Sequence, residues 1–238
     1  MRRWRSCPSW RRASPRSPTR CGGDRTYCSE AALTDGDPIG PDPIGGPLLA
    51  HIRALHAGPT RAYHGWSHIE ALLALSHEVR GELHDPLAVR AAILLHDAVY
   101  DAHADDNEAR SAALAAELLG GLLPPATLAR TVRLIEATAA HAIPPGLDAD
   151  EAADTARFLD MDLSILGAPE ATFDCYEAGV RAEYAHVAEP AFRAGRMAIL
   201  ERFLARDPLF LSAWGRRRFE AAARANLRRS LDALRRHQ

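Results

Sequence analysis

The chain has 238 residues, 47% of them hydrophobic and 25% charged, with a formal net charge of -2. That length and apolar content suit one globular domain with a sizeable core, plus a tail. The balanced charge excludes a global attraction to nucleic-acid polymers or anionic membranes, and no apolar run is long enough to span a bilayer.

Residues 1–45 differ from the rest. Arginines from Arg2 to Arg25 are interspersed with Ser, Pro and Gly and show little apolar periodicity. Such a segment buries too little surface to offset its chain entropy, so a disordered tail, or an upstream extension from a misassigned start codon, is expected in preference to a transit peptide. It lacks the apolar stretch of a secretory signal, and a cytoplasmic location is expected. Asp37-Pro38-Ile39-Gly40-Pro41-Asp42-Pro43 reads as the linker into a domain over 46–238. Cys7, Cys21, Cys28 and Cys175 form no CxxC pair, which argues against a disulfide framework or a structural zinc site.

Beyond Pro47 apolar residues recur at three- and four-residue spacing, and no strand alternation is evident. The fold class expected is therefore all-α. The spacing predicts helices over 47–57, 67–80, 86–99, 106–122, 125–140, 151–167, 170–187, 189–206 and 214–236. Asp85-Pro86, Asp105-Asp106 and Asp207-Pro208 carry start signals: a capping carboxylate, in two cases followed by a proline suited to the first turn. Breaks fall at Gly120-Gly121, Pro124-Pro125 and Pro144-Pro145-Gly146.

Chemistry concentrates where polar groups interrupt apolar helices. His96-Asp97 ends the run Ala91-Ala92-Ile93-Leu94-Leu95, where an unpaired imidazole and carboxylate are costly to bury unless a cation holds them. His68 shares a helical face with Leu72 and Leu75, four residues after His64, although Gly65 could leave His64 ahead of the helix. Asp162 shares the inward face with Phe158, Leu159, Ile165 and Leu166. Asp160 lies nearer the surface, as a second-shell or capping group. The competing reading for Asp162 is an ion pair with Arg181 or Arg196. Two imidazoles and two carboxylates form a mixed N/O set suited to Mn, Fe, Co, Ni or Zn, and with waters Mg.

Flanking groups could serve such a site. His141 follows Thr138 on one face near a helix end: a phosphate donor, general acid or second-metal ligand, or simply a C-terminal histidine favoured by the dipole. Asp101 could hold a water or act as general base, or merely cap a loop. Arg181 suits a phosphate clamp, or an internal ion pair with Asp162 or Glu183. Asn107 could orient a ligand, and Glu108 complements a helix N-terminus or assists the chemistry. Arg216-Arg217-Arg218 and Arg228-Arg229 read as solvated helix faces, since no aromatic platform accompanies them.

The order His…His-Asp…Asp on an all-helical core resembles the HD-domain superfamily of metal-dependent phosphohydrolases, in particular a bacterial branch of predicted HD phosphohydrolases. The likeness runs through Arg61-Ala62-Tyr63-His64-Gly65-Trp66-Ser67-His68, Leu95-His96-Asp97-Ala98-Val99-Tyr100-Asp101 and Asn107-Glu108-Ala109-Arg110-Ser111-Ala112. It continues through Ala137-Thr138-Ala139-Ala140-His141, Phe158-Leu159-Asp160-Met161-Asp162-Leu163-Ser164-Ile165-Leu166-Gly167 and Val180-Arg181-Ala182-Glu183-Tyr184. Gly65 departs from the asparagine expected after Tyr63-His64. The resemblance implies a compact HD-type bundle with extra C-terminal helices, and His68, His96, Asp97 and Asp162 as ligands of a divalent metal. The function expected is hydrolysis of a phosphate ester or phosphoanhydride in a small molecule, foremost a nucleotide. Asp101, His141 and Arg181 are the candidate catalytic groups, with His64, Asn107, Glu108, Thr138 and Asp160 around them. The alternatives are a catalytically inactive nucleotide-binding regulatory module and a di-iron oxygenase. No Walker loop or dinucleotide fingerprint is present.

Overall fold

The structure is a computed structural model that describes residues 43–236. Most of the expected tail, with Cys7, Cys21 and Cys28, lies outside the described residues. Ile44 is described and is completely buried in the core, so the packed domain begins slightly before residue 46.

Nine α-helices and two 3-10 segments make up the regular structure among the described residues, which include no strand. The helices are α1 (Gly46–Leu55), α2 (Trp66–Glu78), α3 (Pro86–Leu95), α4 (Asn107–Leu119), α5 (Pro125–Thr138), α6 (Ala149–Asp162), α7 (Glu170–Glu183), α8 (Glu189–Leu204) and α9 (Ala213–Arg236). The 3-10 segments are Arg80–Glu82 and Leu163–Gly167.

The central element is α3. Val89 and every residue from Ala91 to Leu95 are inaccessible to solvent, and the helix packs on α2, α4, α5 and α6. A helix apolar on all sides belongs inside a bundle. Its start follows from Asp85, whose side chain accepts the Ala88 N–H at 2.9 Å, and from Pro86 in the first turn. Asp154 of α6 anchors that start further, accepting the N–H groups of His84 and Asp85 at 2.9 and 2.8 Å. The last helix, α9, packs on the Leu163–Gly167 segment and on α8. A Cβ on Gly167 would stand 2.8 Å from that of Phe219, so only glycine permits this approach.

All nine expected helices form, but several stop earlier than their apolar spacing suggests. The helix expected over 86–99 ends at Leu95, because side chains take over its last carbonyls. His96 Nδ1 donates to Ile93 O at 3.0 Å, and His56 Nε2 donates to Leu94 O at 2.9 Å. Arg61 donates to Asp97 O and Ala98 O at 2.8 and 2.9 Å. The segment expected as one helix over 151–167 tightens into 3-10 geometry after Asp162. Asp207-Pro208 starts no helix: it lies in the α8–α9 connection, with the Asp207 side chain 99% exposed. Asp106 precedes α4 without a side-chain cap bond.

Candidate metal centre

Three helix ends meet at one point. His68 sits in the first turn of α2, His96 caps the C-terminus of α3 with Asp97 just beyond it, and Asp162 is the last residue of α6. His68 Nε2 lies 3.3 Å from His96 Nε2. Asp162 Oδ1 is 3.1 Å from the first of these nitrogens and 3.5 Å from the second. Asp97 Oδ2 is 3.2 Å from His96 Nε2 and 3.9 Å from His68 Nε2. His96 keeps helical dihedrals, with φ -59° and ψ -34°, and Asp97 follows just past the helix end with its Oδ2 beside His96 Nε2. Of the expected ligands, His68, His96 and Asp162 place donor atoms within 4.8 Å of one another and Asp97 lies against the two imidazoles, while Arg181 and Arg196 do not pair with Asp162.

The hydrogen bonds fix which atoms face inward. Ile93 O can only accept, so His96 Nδ1 carries a proton and it is Nε2 that faces the cluster, as a donor to the carboxylates when protonated and as a lone pair once that proton is lost. Tyr63 Oη lies 3.2 Å from His68 Nδ1 and holds that ring with its Nε2 inward. Metal-binding imidazoles are ordinarily held through their other nitrogen in this way. Two lone-pair nitrogens and two carboxylates this close repel one another unless protons or a cation lie among them. His68 and His96 are buried, while Asp97 and Asp162 keep slight exposure, so the centre is reachable from one side.

The electrostatics agree. Burial alone would lower the His96 pKa, but the carboxylates of Asp97 and Asp162 outweigh it and hold it well above its usual value. Burial opposes ionisation of the two aspartates, yet His96 and His64 hold Asp97 low, and His141, His68 and His96 hold Asp162 low. The set is a tightly coupled group of opposite charges.

His141 joins the cluster directly, its Nε2 lying 2.9 Å from Asp162 Oδ2. It stands beyond the end of α5 rather than on it, in a left-handed conformation with φ 46°.

His64 precedes α2 and is held by Glu183 of α7. The buried Glu183 carboxylate accepts the backbone N–H groups of Tyr63 and His64 at 2.7 and 2.9 Å. It also accepts His64 Nδ1–H at 2.7 Å and Tyr100 Oη–H at 2.9 Å. The His64 ring stacks on Tyr100 with centroids 4.3 Å apart and meets His68 edge-on at 6.3 Å. Burial depresses the His64 pKa, but Asp97 and Glu183 more than compensate and raise it. Arg61 completes the frame by donating to His64 O at 2.8 Å as well as to the carbonyls after His96.

The other expected residues are placed differently. Asp101 is exposed and accepts from His103 N and lies 2.9 Å from His103 Nδ1, outside the cluster's hydrogen bonds. Asn107 clasps the Asp101 backbone, accepting its N–H at 3.0 Å and donating to its carbonyl at 2.9 Å. Glu108 stands in the first turn of α4. Thr138 donates to Ile135 O at 2.6 Å and is buried. Arg181 donates to Glu189 at 3.0 Å and to Tyr184 O at 2.8 Å, closing the end of α7.

Asp160, expected near the surface, is buried. It accepts the N–H groups of Leu211 and Ser212 at 2.7 and 2.8 Å and lies against Gly215. It holds the backbone that leads into α9 and caps neither end of its own helix. Burial raises its pKa.

Sequence reasoning left Arg61 and Arg206 without roles and noted Glu183 only as a possible partner of Arg181. Their partners are far away along the chain, and the only local hint is that Arg61 shares a short segment with His64 and His68. No described helix is long and apolar enough to cross a membrane. Comparison with family models, with curated proteins and with solved structures finds no match to this chain.

Proposed function

We propose that the protein is a metal-dependent phosphohydrolase of the HD type, acting in the cytoplasm on a small phosphorylated molecule, foremost a nucleotide. One observation carries the reading: His68, His96 and Asp162, drawn from three helix ends, place donor atoms within 4.8 Å of one another, with Asp97 Oδ2 3.2 Å from His96 Nε2 at the side of the group. The hydrogen bond from His96 Nδ1 to Ile93 O leaves Nε2 as the ring atom that faces that group. A divalent cation bound by these residues would supply a water of lowered pKa and a Lewis acid for a phosphoryl oxygen.

The chain's own residues do the rest. His141 engages Asp162 Oδ2, and Asp162 Oδ1, beside the imidazoles, is the oxygen that would hold the cation. His64, backed by Glu183, stands at the edge of the centre, where a substrate oxygen could take a hydrogen bond from it. Asp101 and Arg181 could act as base and phosphate clamp only by turning away from His103 and Glu189.

The test is metal analysis of the purified protein followed by assay of phosphate and pyrophosphate release from a nucleotide panel with Mn, Co and Mg. Turnover that disappears in Asp162→Asn supports a hydrolase. Saturable nucleotide binding without turnover under any of these metals would make the protein a binding module instead.

A further inference from the structure

His141 is the sole non-glycine residue with a left-handed backbone among the described residues. Its Cβ crowds the next carbonyl in that conformation, and glycine or asparagine is the usual occupant after a helix end. Strain of this kind persists only where the surroundings impose it. Here it turns the imidazole so that Nε2 lies 2.9 Å from Asp162 Oδ2, leaving Oδ1 for His68 and His96.

The surroundings that impose it centre on Arg206, in the α8–α9 connection. One guanidinium N–H donates to His141 O and another to Ala140 O, each at 2.9 Å. The guanidinium also lies 5.2 Å from the centre of the Phe203 ring, and that ring meets the His141 imidazole edge-on at 6.3 Å. Arg206 forms no ion pair with a carboxylate among the described residues, so these carbonyls and Phe203 are its main partners. Its own backbone is pinned in turn. Arg224 donates to Arg206 O at 2.7 Å and to Glu220 at 2.7 Å, and Glu220 accepts the N–H groups of Leu209 and Phe210 at 3.1 and 3.0 Å.

We propose that Arg206 is a positioning residue of the metal centre. By gripping the carbonyls of Ala140 and His141 it holds His141 in the conformation that aims the imidazole at Asp162. It thereby sets which carboxylate oxygen faces the cation. The inference rests on the reading of the cluster as a metal centre, and its test separates the two.

The experiment uses the full chain and the variants Arg206→Gln, Arg206→Lys and, as a control at an exposed arginine paired with Glu201, Arg235→Gln. The first readout is the imidazole 15N spectrum of His141 in metal-free protein. The second is the affinity for Co2+ by titration. Arg206→Gln should move the His141 nitrogens toward values of a free, solvated ring and weaken Co2+ binding about tenfold, the scale of losing a group that orients a ligand. Arg206→Lys keeps the charge but not the planar fork. It should fall between Arg206→Gln and the parent, and it serves if Arg206→Gln fails to fold. Arg235→Gln should match the parent.

In a His141→Ala background, Arg206→Gln should cause no further loss of affinity. Unchanged His141 resonances and Co2+ affinity in both Arg206 variants would overturn the proposal. So would an equal loss of affinity with and without His141. If the parent protein takes up no Co2+ while Arg206→Gln still moves the His141 resonances, the positioning role stands and the metal reading falls.

Discussion

His68 Nε2 and His96 Nε2 stand 3.3 Å apart, each ring anchored through its other nitrogen, one by Tyr63 Oη and the other by Ile93 O. Neither anchor depends on the other imidazole, so the two rings are oriented by their own elements before they meet. Asp97 and Asp162 then close the group from two further directions. Ligands held in place ahead of binding lower the entropy lost when the ion enters.

Asp162 bridges both histidines and His141, so its neutral analogue should be the most damaging single change. Asp162→Asn should weaken Mn2+ or Co2+ binding by about 100-fold or more, because it removes a ligand and not merely an orienting group. Titration calorimetry measures this, with circular dichroism as the check that the fold survives.

The pH dependence follows from the shifted groups. His96 and His64 are raised above the unfolded value, so what they contribute to metal-free stability is complete below about pH 6.5 and is lost as pH rises through their folded pKa. Asp97 and Asp162 are depressed, so their contribution is present above about pH 4 and is lost as pH falls through their folded pKa. A metal displaces the imidazole protons and reverses the alkaline loss. The rise in Tm on adding Mn2+ should therefore grow from pH 6 to pH 8, as thermal melts with and without metal would show.

His56 makes an independent acid limb. It is buried beneath Leu94 and Trp66, and burial lowers its pKa to about 4. The unfolded chain thus binds a proton that the folded chain refuses between about pH 6.5 and that value. Stability should fall by on the order of 3 kcal/mol as pH drops through this window. His56→Phe should flatten this limb while costing about 1 kcal/mol near neutrality, because Leu94 O loses its donor. Urea unfolding across pH 4 to 7 tests both.

Glu183 gathers four donors in a buried position. Glu183→Ala should destabilise the protein by about 3 kcal/mol, a Tm fall of roughly 6–12 °C for a domain of this size. It should also loosen the segment that carries His64. Hydrogen exchange at Tyr63 and His64 should accelerate in step.

Asp101 and Arg181 are engaged outside the cluster's hydrogen bonds. Asp101→Ala and Arg181→Ala should leave metal affinity within about twofold of the parent, as expected for positions not in contact with the ligands. A parallel activity assay would reveal whether either group turns inward when substrate binds.

The helical architecture was readable because apolar spacing is a local property: the second half of α3, Ala91–Leu95, is fully buried and reads as an unbroken apolar run. His96, Asp97 and Asp162 were readable for the same reason, as polar groups set into apolar stripes. What escaped depends on partners distant in the chain. Asp160 looks peripheral on its own helix, yet Leu211 and Ser212 cover it. The early end of α3 comes from Arg61 and His56 reaching its carbonyls. The left-handed turn at His141 depends on Arg206, and no helical periodicity announces it. Asp207-Pro208 has the local chemistry of a helix start, but α9 begins only at Ala213, after the segment held by Asp160.

The most direct measurement is an anomalous-diffraction map of crystals grown with Mn2+ or Co2+. One strong peak within coordination distance of His68 Nε2, His96 Nε2, Asp97 and Asp162 is expected, and it should be lost in Asp162→Asn. A metal-replete crystal with no anomalous density among these four side chains would contradict the metal centre and the hydrolysis built on it.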